Sequence, residues 1–176
     1  MTLIEALLYC YKLKGIKVKR NIYADFSYLL ILAASFGGVL ILGALVAPVI
    51  FHTDKILFEI LLDNYNAGKI MAEIFHRFSY WLYFVALFVV LYETIMYKMG
   101  QRDAITFGAA ITVMFSSLMF SGVYAPKILA MQSMGVEATQ SDTFHNIHIA
   151  SEIDFKILAV ALLVLFIRRL MLLRIS

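Results

Sequence analysis

The stretch FSYLLILAASFGGVLILGALVAPVIF, residues 26–51, contains no charged side chain. As a helix rising 1.5 Å per residue it would be roughly 39 Å long, enough to cross a ~30 Å hydrocarbon core with tilt. A run of this kind exceeds what one small soluble core can hide, so it reads as a membrane span. Asp25 stands where an N-cap is expected. Pro48 lies near the far end.

The rest of the chain agrees with that reading. Of 176 residues, 62% are hydrophobic and 15% charged, against about half and a quarter in soluble domains. Further spans are expected at 74–97, 104–125 and 150–172. The second opens on a dense aromatic group, Phe75, Phe78, Tyr80, Trp81, Tyr83 and Phe84, of the kind that favours a membrane interface. The third ends at Ala125-Pro126, and residues 127–143 read as an exposed loop. Residues 52–72 mix Leu and Ile with charge and predict a surface helix broken near Asn64–Gly68. The fourth helix is expected to begin near Phe144.

Residues 1–20 form a separate unit. Leu3, Ile4, Leu7, Leu8 and Tyr11 share one helical face, and Lys12, Lys14, Lys17, Lys19 and Arg20 follow. The apolar part is too short to span, so an interfacial amphipathic helix with a basic exit is expected. Glu5 near its start and the bulky Leu8-Tyr9 before Cys10 argue against a cleaved signal. The expected organisation is therefore an all-α integral membrane four-helix bundle over residues 21–176, preceded by a cytoplasmic segment at 1–20.

Charge sets the expected orientation. Ten of the fifteen Lys and Arg residues fall on the side of the termini and of the 98–103 turn. Lys55, Lys69, Arg77, Lys127 and Lys156 fall on the other. The positive-inside rule then places both termini in the cytoplasm of a bacterial inner membrane, in contact with lipid. The net charge of +3 and the scattered basic residues give no reason to expect nucleic acid. The single cysteine, Cys10, excludes an intrachain disulfide, a Cys-rich zinc site and a covalent c-type haem. There is no phosphate-binding Gly loop, GxSxG or HExxH motif, and no catalytic residue is assigned.

All four histidines, His52, His76, His145 and His148, fall at the outward end, with most of the acids. Glu73 and His76 are three apart, and His145, His148 and Glu152 form one helical stripe. Glu-x-x-His on facing helices is how carboxylate-bridged metal sites are built in helical bundles. Glu73, His76, His145, His148 and Glu152 are thus candidate ligands for copper, iron, zinc or manganese, and His76 and His148 for a haem iron. The same residues also suit a polar membrane rim with no ligand. Three functions fit: metal or haem binding, a non-catalytic partner or assembly factor of a membrane complex, and small-solute transport through a homo-oligomer.

Only eleven residues separate Lys156 from Arg168, about 16 Å of helix. Charges must therefore enter the membrane region, where they pair or snorkel. Glu93 is expected to meet Arg168 or Arg169. Arg77 or Lys156 is expected to meet Glu73, Glu152 or Asp154, in a polar outward pocket. Ala34-x-x-x-Gly38, Gly43-x-x-x-Ala47, Gly108, Ala109, Ser116 and Ser117 are expected at close helix contacts.

Gly43-Ala-Leu-Val-Ala-Pro48 is echoed by Gly122-Val-Tyr-Ala-Pro126, as two related hairpins would produce. The first of these motifs, together with Phe144-His-Asn-Ile-His148-Ile-Ala-Ser151, resembles a bacterial domain-of-unknown-function family related to eukaryotic transmembrane protein 205. The resemblance covers about residues 26–170, with Pro48 and His148 as the matching positions. It implies a small four-helix membrane protein and carries no reaction.

Overall fold

The computed structural model describes residues 22–57 and 62–175. The expected amphipathic segment at 1–20 lies outside them. The described residues form helices α1 (Ile22–Leu40), α2 (Ala47–Phe51), α3 (Asp54–Leu57), α4 (Asn64–Lys98), α5 (Ala104–Met119), α6 (Ala125–Ser133), α7 (Val136–Thr139) and α8 (Asp142–Ile175). Two π-helical turns, Ile41–Val46 and Phe120–Tyr124, join α1 to α2 and α5 to α6 without a break.

Among the described residues, three continuous helices are long and apolar enough to cross a membrane: Ile22–Phe51, Asn64–Lys98 and Ala104–Ser133. Helix α8 matches them in length but carries Glu152, Asp154, Lys156, Arg168 and Arg169 along its course. It packs against α5 and α1, while α4 packs against α5, α6 and α1. The shared core contains Tyr28 and Leu32 of α1, Leu82, Val85 and Val89 of α4, Val113 of α5, and Leu158, Leu162 and Leu165 of α8. Between helices in lipid the water-driven term is absent, so close packing of such side chains must hold them together. The opposite faces leave Leu30, Leu45, Leu87, Phe115 and Val160 exposed, as a lipid-facing surface requires.

Several boundaries differ from the sequence expectation. Asp25 is not an N-cap: it lies inside α1, buried, and the Tyr92 hydroxyl donates to it. Asn64–Gly68 is not a break but the first turn of α4. Asp63 caps that turn by accepting from Asn66 N at 2.7 Å, so the helix starts ten residues before the expected span. Residues 127–143 are largely helical, in α6 and α7.

Ala125-Pro126 does not end the third span. A proline within a helix has no N–H to donate, and its ring presses on the carbonyl four residues back. The chain answers by widening. Ala125 N–H donates five residues back to Phe120 O, and Ala47 N–H likewise to Leu42 O. The Ala-Pro echo in the sequence is therefore an echo in the backbone. The two copies pack differently, however. The second π-turn buries Phe120 and Ser121, whereas the first π-turn and α2 bury nothing.

Tight helix contacts occur at some of the expected positions. A Cβ on Gly38 would sit 3.1 Å from the Phe78 ring, and Ala109, Ser116 and Ser117 are buried. Gly108 faces open space, with nothing within 4 Å of such a Cβ. The turn after α4 uses Gly100 at φ +91°, a left-handed conformation that lets Gly100 N and Gln101 N reach back to Tyr97 O and Met96 O.

Candidate functional site

The predicted ligand residues all lie at the histidine end of the helices, yet they do not converge. Glu73 is exposed on α4 and accepts from Arg77 Nε at 2.8 Å. His76 sits edge-on to Tyr80, with Nε2 3.4 Å from its hydroxyl. His145 is exposed in the first turns of α8. His148 lies parallel to the Phe144 ring, with Nε2 3.3 Å from Glu152 Oε1. Glu152 also accepts from Lys156 Nζ at 3.3 Å. Among the described residues no three His, Cys, Asp or Glu side chains are grouped to hold a metal ion. The pairs expected for Arg77 and Lys156 do form, but each runs along one exposed helix face rather than across a pocket. Only Asp154 turns inward, where it is buried and bonded to the Ser116 hydroxyl.

His52, His148 and Glu152 do share one feature. They line a crevice of about 1240 Å³ at the histidine end. Its walls come from every long helix: Val39 and Gly43, Met71 and Phe75, Phe120 and Gln132, Ser151 and Phe155. Its floor is a triangle of rings. Phe75, Phe120 and Phe155 stand 5.4, 5.3 and 4.8 Å apart between centroids, the first two contacts edge-on. Such contacts are worth about 0.5–1.5 kcal/mol each beyond burial, so the floor is a stiff apolar surface. The rim is polar, with His52, Asp63, His148, Glu152 and Lys156.

The crevice exists because the first π-turn and α2 are not packed down. α1 is buried through Tyr28, Leu32, Ser35 and Val39, and then burial along this helix stops. Leu40, Leu45 and Val49 are exposed along the same stretch. One wall is thus continuous with the lipid-facing surface, while the rim faces the polar end.

Sequence reasoning overlooked Gln132. It lies on α6 within the expected loop, yet it is 5% exposed and lines the crevice. The Tyr65 hydroxyl donates to its backbone oxygen at 2.8 Å and ties α6 to α4. A Cβ on Gly68 would stand 3.0 Å from Gln132 Nε2, so this glycine makes room for the amide. The side-chain oxygen of Gln132 has no hydrogen-bond partner. The available signal was a lone amide directly after the apolar run Ile128–Met131, about three turns after Gly122.

The arginine end holds a different arrangement. Tyr28 and Tyr92 stack at 3.7 Å, and their hydroxyls donate to Glu93 and Asp25. Arg169 donates through two nitrogens to both carboxylate oxygens of Glu93 and through a third to Gln101 Oε1 at 2.7 Å. Arg168 reaches Asp103 at 2.6 Å, in the turn between α4 and α5. Asp103 also caps α5, accepting from Thr106 N and Oγ1. The Arg168 and Thr106 bonds hold its carboxyl well below the usual range. The Glu93 partner expected from the sequence is therefore Arg169, and buried charges here are paired, as a low-dielectric site demands. Every charge of this set is used in holding helices together, whereas the crevice retains an unused polar group.

A family model described as a domain of unknown function (DUF4149) matches residues 30–137. That range runs from α1 through both π-turns to α7. No curated protein and no solved structure matches the chain.

Proposed function

Since the chain belongs to the DUF4149 family, we propose on that footing that it is a ligand-binding protein of the bacterial inner membrane. It forms a four-helix bundle with α8 as the fourth span, related to the transmembrane protein 205 family. Both termini lie in the cytoplasm and the histidine end faces outward, by the excess of Lys and Arg at the other end. The crevice takes an amphipathic molecule, with an apolar tail on the ring triangle and a polar head at the rim. One observation carries this reading: a cavity of about 1240 Å³ has an apolar floor, a polar rim and one wall continuous with the lipid-facing surface. No reaction is assigned to it.

The test is native mass spectrometry of protein extracted in mild detergent, followed by identification of what stays bound. The expected result is a retained lipid-like molecule that is lost in Ala47→Trp, which fills the crevice, with thermal unfolding unchanged. Protein that retains nothing and binds no added lipid overturns the reading.

The contact of His148 with Glu152 favours a second reading. His52 lines the same crevice, so a copper, iron or zinc ion, or a haem iron, would find imidazole and carboxylate there. Two such groups in contact make an incomplete set, and Glu73, His76 and His145 would have to move to complete it. Elemental analysis and a visible spectrum of chelator-free protein decide this. Stoichiometric metal lost in His148→Ala supports it, and metal-free, folded protein removes it.

A further inference from the structure

We propose that Gln132, seated over Gly68, reads the head group of the occupant, and that the occupant is an ammonium-headed phospholipid of the phosphatidylethanolamine class. The inference rests on the crevice reading above and adds the head-group chemistry.

The argument starts from an unmet hydrogen bond. An amide oxygen buried without a partner costs about 1–3 kcal/mol. Gln132 Oε1 is such an atom, on a side chain that is 5% exposed and lines the crevice. Leucine has nearly the same size and would avoid the cost. The neighbouring structure instead accommodates the amide: Gly68 clears its space, and Tyr65 fixes the backbone that carries it. The side chain lines the crevice, and a turn of its amide brings the oxygen to a donor that arrives with the ligand.

The rim narrows the donor. It carries Asp63 and Glu152 against Lys156, with His52 and His148 beside them. Both signs are present, and the carboxylates outnumber the ammonium. An anionic head with no cationic group gains nothing from this balance, whereas a zwitterion places phosphate by Lys156 or histidine and ammonium by the acceptors. The tail follows from the floor, since Phe75, Phe120 and Phe155 offer only apolar surface. Leu40 lines the crevice and is exposed, with exposed Leu45 and Val49 beyond it on the same helix, so this edge gives such a chain a lateral route from the lipid phase.

Three lipids of equal chain length separate these contributions in detergent, read by native mass spectrometry. Phosphatidylethanolamine has N–H donors, phosphatidylcholine has the same charge without them, and phosphatidylglycerol is anionic. The full chain should prefer phosphatidylethanolamine over phosphatidylcholine by roughly tenfold, the worth of one good hydrogen bond. Gln132→Leu should abolish that preference while lipid still binds, and its thermal unfolding should be unchanged or raised. Gly68→Ala, which pushes the amide away, should weaken the preference in the same direction. Equal retention of phosphatidylethanolamine and phosphatidylcholine, or a preference that survives Gln132→Leu, overturns the head-group assignment and leaves the crevice reading standing. Preference for phosphatidylglycerol overturns the charge argument. Retention of none of the three by the wild-type chain overturns both.

Discussion

Arg169 grips both carboxylate oxygens of Glu93, 76 positions earlier in the chain, where both side chains are buried. The pair joins α8 to α4, and the ring of Tyr92 lies 5.3 Å from the guanidinium carbon. Tyr28 adds a hydroxyl to the same carboxylate from α1. Three helices thus meet on one acidic group, and this fixes how far α8 can slide. Each charge is tolerable only because the other is present.

Breaking the pair from one side should be severe. Glu93→Gln leaves Arg169 buried with a weakened partner, and a loss of about 3–5 kcal/mol in stability is expected. Arg169→Met together with Glu93→Met should recover much of that loss, because no uncompensated charge remains. Thermal unfolding of both variants and of the wild type in one detergent checks this. A single variant as stable as wild type would show that the charge is relieved by water.

Tyr28→Phe keeps the stacked ring and removes only the donor to Glu93. A hydrogen bond to a charged group contributes about 1.5–3 kcal/mol, and a loss of that order is expected. In Glu93→Gln the same substitution should cost less, since the two side chains act on one site. A double-mutant cycle of unfolding measurements reads the coupling, and strict additivity would refute it.

Asp103 gives a pH dependence with a definite sign. Its carboxyl is held low by Arg168 and Thr106, so its contribution is complete above the ordinary carboxylate value of about 3.9 and is lost as pH falls through the lower folded value. Asp103→Asn keeps a capping oxygen for α5 and removes the ion pair. The variant should unfold at lower temperature than wild type at pH 7, and the gap should narrow below about pH 4. Because Arg168 and Asp103 are partly exposed, added salt should narrow it too. A gap unchanged by acid would mean that the pair contributes nothing.

The first π-turn should be separable from the fold. Deleting one residue within Ile41–Val46 closes the wide turn into α-helix and draws α2 toward α1 by about 1.5 Å, because the turn's extra residue had absorbed the roughly 100° step. The buried contacts of Tyr28 and Leu32 lie below the deletion and should persist, so thermal unfolding should change little. Retention of lipid in the crevice should fall, because the wall at Gly43, Ala47 and Pro48 is displaced and its wide turn is lost. A deletion variant that retains lipid as wild type does would dissociate the π-turn from binding.

The membrane class was legible in the sequence because it depends on composition over long stretches. No arrangement of helices can hide residues 26–51, so their reading did not wait on tertiary contacts. The pairing of Glu93 with an arginine of α8 was legible for a related reason, since a charge inside an apolar run has few partners to choose from. Helix ends were less readable. Asn64–Gly68 contains turn-forming residues, but the Asp63 cap and the burial of Ala67 and Met71 carry the helix through them. Ala125-Pro126 looked like an end because the sequence does not show that a five-residue backbone bond can absorb a proline.

The candidate site divides in the same way. His145, His148 and Glu152 do lie on one helix, as their spacing requires, but whether Glu73 and His76 face them depends on the rotation of α4. That rotation is set by Phe75 and Phe78, which pack against Phe155 and turn their neighbours Glu73 and Arg77 toward solvent. Local spacing and hydropathy are properties of the chain alone, so the sequence by itself determined the long apolar helices, the placing of all histidines at one end and the need for buried charges to pair. Packing among distant helices decided the rest: the choice of Arg169, the unpacked first π-turn and the crevice where Gln132 meets Gly68. These depend on which side chains interlock in space, and helical periodicity within one segment carries no information about its neighbour's rotation.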